Sequence, residues 1–284
     1  MTNRGAFIVG LMALSVSAAS HASGPPNFVP DAVRTAAAEW GVDSVVPQAE
    51  IKTEINESKS AMVAGGGLLF AMIDAGVNSS RTKKAEAAVQ PLRDALAGYN
   101  FDDDARDSTG LALSSVPWLK VTEQRLTKDD SQPGLLGVLD SLPTSRLLIA
   151  DYGYSLSPTG DEMVIHVALS IASRETPAGK KPADRLKPKY LAYQQRLTVV
   201  AQLNIPAKDL AANVARWSAD GAALARKTLA SELADVRTLI VRSLTATEAD
   251  VAPWAKDRKK TEEVNGGTLS SDGTNLTLVR AVAE

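Results

Sequence analysis

Cysteine is absent from the 284-residue chain. That excludes disulfides, thiolate catalysis and any metal site built on sulfur. Histidine is scarce as well: His21 and His166 are the only two, too few for a histidine-built metal centre. Aromatics make up 5% of the residues, so packing must rest on aliphatic and small side chains. Neither sign of charge dominates. Thirty-one Lys and Arg oppose 33 Asp and Glu, a formal net charge of −2, which offers nucleic acid no general attraction. The signatures of common chemistries are missing too. There is no G-x-S-x-G elbow, no G-x-x-x-x-G-K-[ST] phosphate cradle and no G-x-G-x-x-G dinucleotide fingerprint. What remains is 44% apolar and 23% charged, a composition suited to a folded chain with a sizeable core.

The strongest pattern lies at the start. Arg4 is followed by a largely apolar stretch, Ala6 to Ala19, and then by Ser20-His21-Ala22. A short basic start, an apolar segment and small residues at the cleavage positions are the parts of a secretory signal. The stretch is too short to span a bilayer comfortably. Cleavage after Ala22 would leave Ser23-Gly24-Pro25-Pro26 as the new N-terminus. With no cysteine to follow it, lipoprotein anchoring is excluded. The expectation is a periplasmic or secreted protein, divided into a signal peptide at 1–22, an N-terminal leader with a short helix at 23–48, and a single α+β domain at 49–284.

Periodicity supplies the rest of the layout. Asp31 to Trp40 reads as the short helix, stopped by Gly41. Ala49 to Asn56 alternates like a strand, and 60–98 reads as a long helical region that Pro91 would kink. A second helix follows Asp102-Asp103-Asp104. Strand patterns cover Trp118–Leu126, Arg146–Leu156, Glu162–Ala172 and Tyr190–Leu203, with a short helix near Gly134–Leu142. Ser157-Pro158-Thr159-Gly160-Asp161 carries turn chemistry between two of these strands. Asp209–Thr247 repeats apolar residues at helical spacing, among them Val214, Leu229, Leu233, Val236 and Ile240. Asp272-Gly273 between Gly267–Ser270 and Asn275–Val282 signals a closing hairpin. The expected fold is α+β: an antiparallel sheet, made of a meander plus the C-terminal hairpin, with two long helices packed on one face.

Six features could carry function. Gly67, Ala71 and Ala75 lie four apart and would give a helix one smooth face. Such a face suits close packing in the chain's own core. It would equally suit an envelope protein, a second copy of the chain or peripheral contact with a membrane. Asp74, directly after the apolar run, is expected to be a partly buried acid held by a cation or by backbone. His166 falls on the less apolar side of its strand, opposite Met163, Ile165, Val167 and Leu169. Asp102, Asp103, Asp104 and Asp107 lack the glycine and the spacing of a calcium loop, and fit better as acids in a helix's first turn. Lys180, Lys181, Arg185, Lys187 and Lys189 form a basic loop, a possible contact for anionic lipid, lipopolysaccharide or peptidoglycan. A second basic run covers Lys256–Lys260.

The stretch Ala64-Gly65-Gly66-Gly67-Leu68-Leu69, through Ile73-Asp74-Ala75-Gly76-Val77-Asn78 to Arg81-Thr82-Lys83-Lys84-Ala85-Glu86, resembles a segment of uncharacterised secreted proteins and lipoproteins of proteobacteria. Tyr154-Ser155-Leu156-Ser157-Pro158 before a strand resembles a second feature of the same group. The likeness spans about a quarter of the chain. It implies an envelope location and no particular activity, and the absent lipidation cysteine departs from the lipoprotein members.

Taken together, these residues lead to an exported, non-enzymatic envelope protein that binds or supports a partner, with no cofactor, metal or catalytic residue. The alternative is a hydrolase that attacks an envelope polymer with paired carboxylates, which need neither histidine nor cysteine. Two carboxylates facing each other across a deep cleft would favour the hydrolase.

Overall fold

The computed structural model describes residues 28–36, 39–54 and 79–282. In chain order these form α1 (Asp31–Ala36), β1 (Trp40–Val45), β2 (Lys52–Thr53), α2 (Ser79–Leu96), α3 (Phe101–Ser114), β3 (Val121–Thr127), α4 (Gln132–Ser141), β4 (Arg146–Leu156), β5 (Glu162–Ser173), β6 (Tyr193–Gln202), α5 (Leu210–Thr245), α6 (Glu248–Lys256), β7 (Thr261–Val264), β8 (Gly267–Ser271) and β9 (Asn275–Ala281). The fold is α+β, around one nine-stranded sheet ordered β3-β1-β4-β5-β6-β9-β8-β7, with β2 beside the far end of β4.

The sheet is mixed, which corrects the antiparallel expectation. β4, β5 and β6 run as an antiparallel meander, and β7, β8 and β9 pair antiparallel. β1 pairs parallel with both β3 and β4, β2 pairs parallel with β4, and β6 pairs parallel with β9. Parallel neighbours need long crossovers, and here helices supply them: α2 and α3 lie between β2 and β3 in the chain, and α5 and α6 between β6 and β7.

The start of the chain also departs from expectation. Trp40, expected at the end of the first helix, instead opens β1, and all six residues of that strand are buried. The segment expected as a leader therefore contributes a strand to the sheet interior. Of the strand expected at Ala49–Asn56, only Lys52 and Thr53 pair with β4; Ile55 and Asn56 lie outside the described residues, as do 60–78 of the expected helical region.

Strand alternation sorts the core into two layers. On one face, Leu148, Ala150, Tyr152 and Leu156 of β4, Met163, Ile165, Val167 and Leu169 of β5, and Leu197 and Val199 of β6 meet Val89 and Leu92 of α2, Ala105 and Leu113 of α3, and Trp217, Leu229, Val236 and Ile240 of α5. On the opposite face, Val45, Leu147, Ile149 and Ala172 pack under Leu135 and Leu139 of α4 and Leu186 and Leu191 of the following loop. Helical cover thus lies on both faces, with the larger share on the first.

Local chemistry explains the boundaries. Asn100 Oδ1 accepts from Asp103 N at 3.2 Å and caps α3, and Asp102, Asp103 and Asp104 fill that helix's first turn, where the helix dipole favours anions. Asp209 caps α5 through Ala212 N at 2.9 Å. In the β4–β5 turn, Ser157 and Thr159 hydroxyls both donate to Asp161 at 2.6 Å. Gly160 sits at φ +68°, where a Cβ would come within 2.7 Å of Leu210. Its carbonyl accepts from Trp217 Nε1 at 2.8 Å, fastening α5 to the turn. Two residues past Trp217, α5 breaks: Asp220, Gly221 and Ala222 all take left-handed backbone angles.

Candidate functional site

Four residues singled out by sequence, Gly67, Ala71, Asp74 and Ala75, lie outside the described residues. The basic loop is placed, and Arg185 corrects its expected role. Its side chain is 5% exposed. The guanidinium donates to Asp140 Oδ1 at 2.7 Å and Oδ2 at 3.0 Å, to the Arg174 carbonyl at 3.0 Å and to the Pro182 carbonyl at 2.8 Å. It is a clamp between the loop and α4, turned away from any external surface. Lys187 pairs with Asp184 at 2.6 Å, and that contact holds the Asp184 carboxyl below its ordinary range. Lys189 lies over the Tyr190 ring. Lys180 and Lys181 are exposed.

The second face of the sheet carries a row of polar groups. Asp43 on β1 and Asp151 on β4 point to it from neighbouring parallel strands, two register positions apart. They are 0% and 3% exposed. One carboxylate oxygen of each, and the Ser170 hydroxyl on β5, are buried without a hydrogen-bond partner. Asp43 Oδ2 accepts from the Thr127 hydroxyl at 3.1 Å. Burial pushes the Asp43 carboxyl up to about 6, against the opposing pull of Thr127 and Arg125. Burial, then repulsion from Asp130 and Asp43, pushes Asp151 up to about 7. The two acids lie side by side under the segment leading into α4, rather than opposed across a cleft. A third raised acid, Glu232, is wholly buried on α5, next to the Asp235–Arg280 ion pair at 2.7 Å.

Further along the same face, His166 Nδ1 lies 3.1 Å from the Thr198 hydroxyl, and its Nε2 lies 3.5 Å from Glu54 Oε1. Glu54 Oε1 also accepts from Ser155 Oγ at 3.1 Å. The His166 hydrogen bond leads the effects that hold the Glu54 carboxyl below its ordinary range. A carboxylate, an imidazole and a hydroxyl in a row have the parts of an activated nucleophile. Thr198 is mid-strand in β6, however, between β5 and β9. The backbone N–H groups around it serve the ladders, so they are not available to stabilise an oxyanion. The anticipated position of His166 on the less apolar face agrees with the structure. Its acidic contact is Glu54.

A concave site lies on the first face, where the last turn of α5 and α6 lean over β6, β8 and β9. It encloses about 260 Å³, between Gln195, Arg242, Ser243, Thr245, Asp250, Trp254, Ser271 and Leu276 among others. Arg242 and Lys260 both lie over the Trp254 ring, 5.6 and 5.2 Å from its centre. Arg242 also grips Glu262 with two hydrogen bonds of 2.9 and 2.7 Å. Asp250 is folded back onto Thr247 in the capping box that opens α6. The buried Ser243 and Tyr193 hydroxyls face each other, and that contact opposes the burial that pushes the Tyr193 phenol upward.

None of these cleft residues stood out in the sequence, which brings them from three distant stretches. The one local signal is Trp254 followed by the basic run Lys256–Lys260, one aromatic among cations. Asp43 carried a signal too: it is an acid set among Val42, Val45 and Val46. Comparison of the chain with protein-family profiles, with curated proteins and with solved structures returns no match.

Proposed function

We propose that the chain is an exported, non-enzymatic binding protein of the bacterial cell envelope, with the cleft between α5, α6 and the sheet as its ligand site. The observation that carries the binding role is the cleft itself, where an aromatic wall and neutral polar side chains meet in one concavity. The envelope location is supported by the signal-like segment at 1–22 and by the resemblance to secreted proteobacterial proteins. The basic residues Lys180 and Lys181, and the small residues Gly67, Ala71 and Ala75 of the sequence, are proposed secondary contacts for an anionic surface, an envelope protein or a second copy of the chain. Membrane contact is at most peripheral, and nucleic acid is not a partner. Among the described residues no helix is long and apolar enough to cross a membrane.

The hydrolase alternative draws on Asp43 and Asp151, two carboxyls pushed upward on neighbouring strands. Their burial and side-by-side placement favour the binding role, because a polymer bond must reach both groups from opposite sides.

The test uses the full precursor expressed in a proteobacterial host. The mature protein is expected in the periplasmic fraction, with an intact mass that begins at Ser23. A photo-crosslinking residue at Val251, in the cleft wall, should give adducts that one at exposed Leu111 on α3 does not. A retained Met1–Ala22 segment would defeat the export proposal, and equal adducts from both positions would defeat the cleft as the binding site.

A further inference from the structure

We infer that the cleft selects a neutral, hydroxyl-rich ligand of about one sugar ring over an anion; this rests on the binding role proposed above. Size is the first argument. At about 260 Å³, the space falls just below the roughly 300–1,000 Å³ of drug-sized sites, so it takes one ring rather than an extended chain.

Charge is the second. The cations at the cleft are already committed. Arg242 presents both terminal nitrogens to Glu262, and Arg242 and Lys260 share the Trp254 ring. An anionic ligand would have to break the two-pronged Arg242–Glu262 contact before gaining its own. The acid at the cleft, Asp250, is likewise engaged by the Thr247 backbone and hydroxyl at 2.8 and 2.7 Å.

The remaining hydrogen-bonding capacity is neutral. Ser243, 3% exposed, is set against the Tyr193 hydroxyl and backs the floor of the cleft. Gln195 donates its amide to the Thr274 carbonyl at 2.8 Å, leaving its carbonyl oxygen to accept. The Ser271 hydroxyl accepts from Gly273 N at 3.1 Å and retains its own proton to donate. A floor of donors and acceptors without net charge matches the vicinal hydroxyls of a saccharide. It penalises a ligand lacking them, because the buried groups then stay unpaired.

The experiment is an NMR titration of the isotope-labelled mature protein with glucose, N-acetylglucosamine, glucuronate and inorganic phosphate. A neutral sugar should shift cleft resonances saturably and bind at least tenfold tighter than glucuronate. Ser271→Ala should weaken it about tenfold, with a urea melt to show that the chain stays folded. Tighter binding of glucuronate or phosphate, an unchanged affinity in Ser271→Ala, or no response to either sugar overturns the ligand class. If an anion shifts the cleft resonances and the sugars do not, the cleft remains a binding site and only the sugar inference fails. If no probe shifts them and Val251 yields no adducts, the binding role fails as well.

Discussion

Replacing Asp151 by Asn should stabilise the protein above neutral pH and leave it unchanged in acid. In the folded chain the Asp151 carboxyl titrates at about 7, against an ordinary value of 3.8. At about 1.4 kcal/mol per pH unit, that difference opposes folding by about 4 kcal/mol once both states are ionised. Asp43, raised from 3.8 to about 6, gives about 3 kcal/mol by the same arithmetic. The Asp151 figure already contains the repulsion from Asp43, so the two do not add. The sign follows from proton uptake. Between pH 4 and 7 the folded chain holds protons that the unfolded chain has lost, so stability falls as pH rises through that window. Below pH 4 both states are protonated and the penalty vanishes. Asp151→Asn should therefore recover about 2–4 kcal/mol at pH 8, or about 5–10 °C in Tm for a chain of this size. Urea melts of the wild type, Asp43→Asn and Asp151→Asn at pH 4 and pH 8 measure it. Equal stability at pH 8, or the same gain at both pH values, would refute the account of two buried, mutually repelling acids.

Three further substitutions probe the frame around these groups. Arg185→Lys should cost about 2–3 kcal/mol in a denaturant melt, because an ammonium cannot reproduce the fork that holds Asp140 and two carbonyls. Gly160→Ala should cost about 1–3 kcal/mol by the same assay, through its φ of +68° and the 2.7 Å approach to Leu210. Asp220→Gly should raise stability by about 1 kcal/mol, since Asp220 is exposed at φ +51°. A loss of stability there would indicate that the break in α5 is held by the aspartate side chain.

Where alternation and turn chemistry coincide, the sequence was legible to within a residue. Arg146–Leu156 and Glu162–Ala172 became β4 and β5 because each sends one side of its side chains into the larger core, and Asp272-Gly273 joins β8 to β9. β1 was hidden by its depth. Buried throughout, Trp40–Val45 places Asp43 and Ser44 in the interior beside valines, so it has no polar rhythm to read. β7 was hidden for the opposite reason: Thr261-Glu262-Glu263-Val264 is a charged edge strand, a pattern that also suits a loop. Parallel pairing left no local mark, since it depends on where a crossover lands. Arg185 shows why composition misleads about sites. Five basic residues in one loop read as a solvated patch, yet one of them is buried by an acid 45 positions away. The cleft was invisible because Gln195, Ser243, Trp254 and Ser271 meet only after the sheet has closed.

That closure has a consequence for the order of assembly. β1 is wedged between β3 and β4, both made long after it, and β6 waits for β9 at the very end of the chain. The half from β6 to β7 does not find all its neighbours until the last strand has been synthesised. Contacts so distant in sequence make for slow folding. A polypeptide whose second half-sheet stays unfinished until its tail arrives leaves one side of β6 without its partner for as long as synthesis lasts.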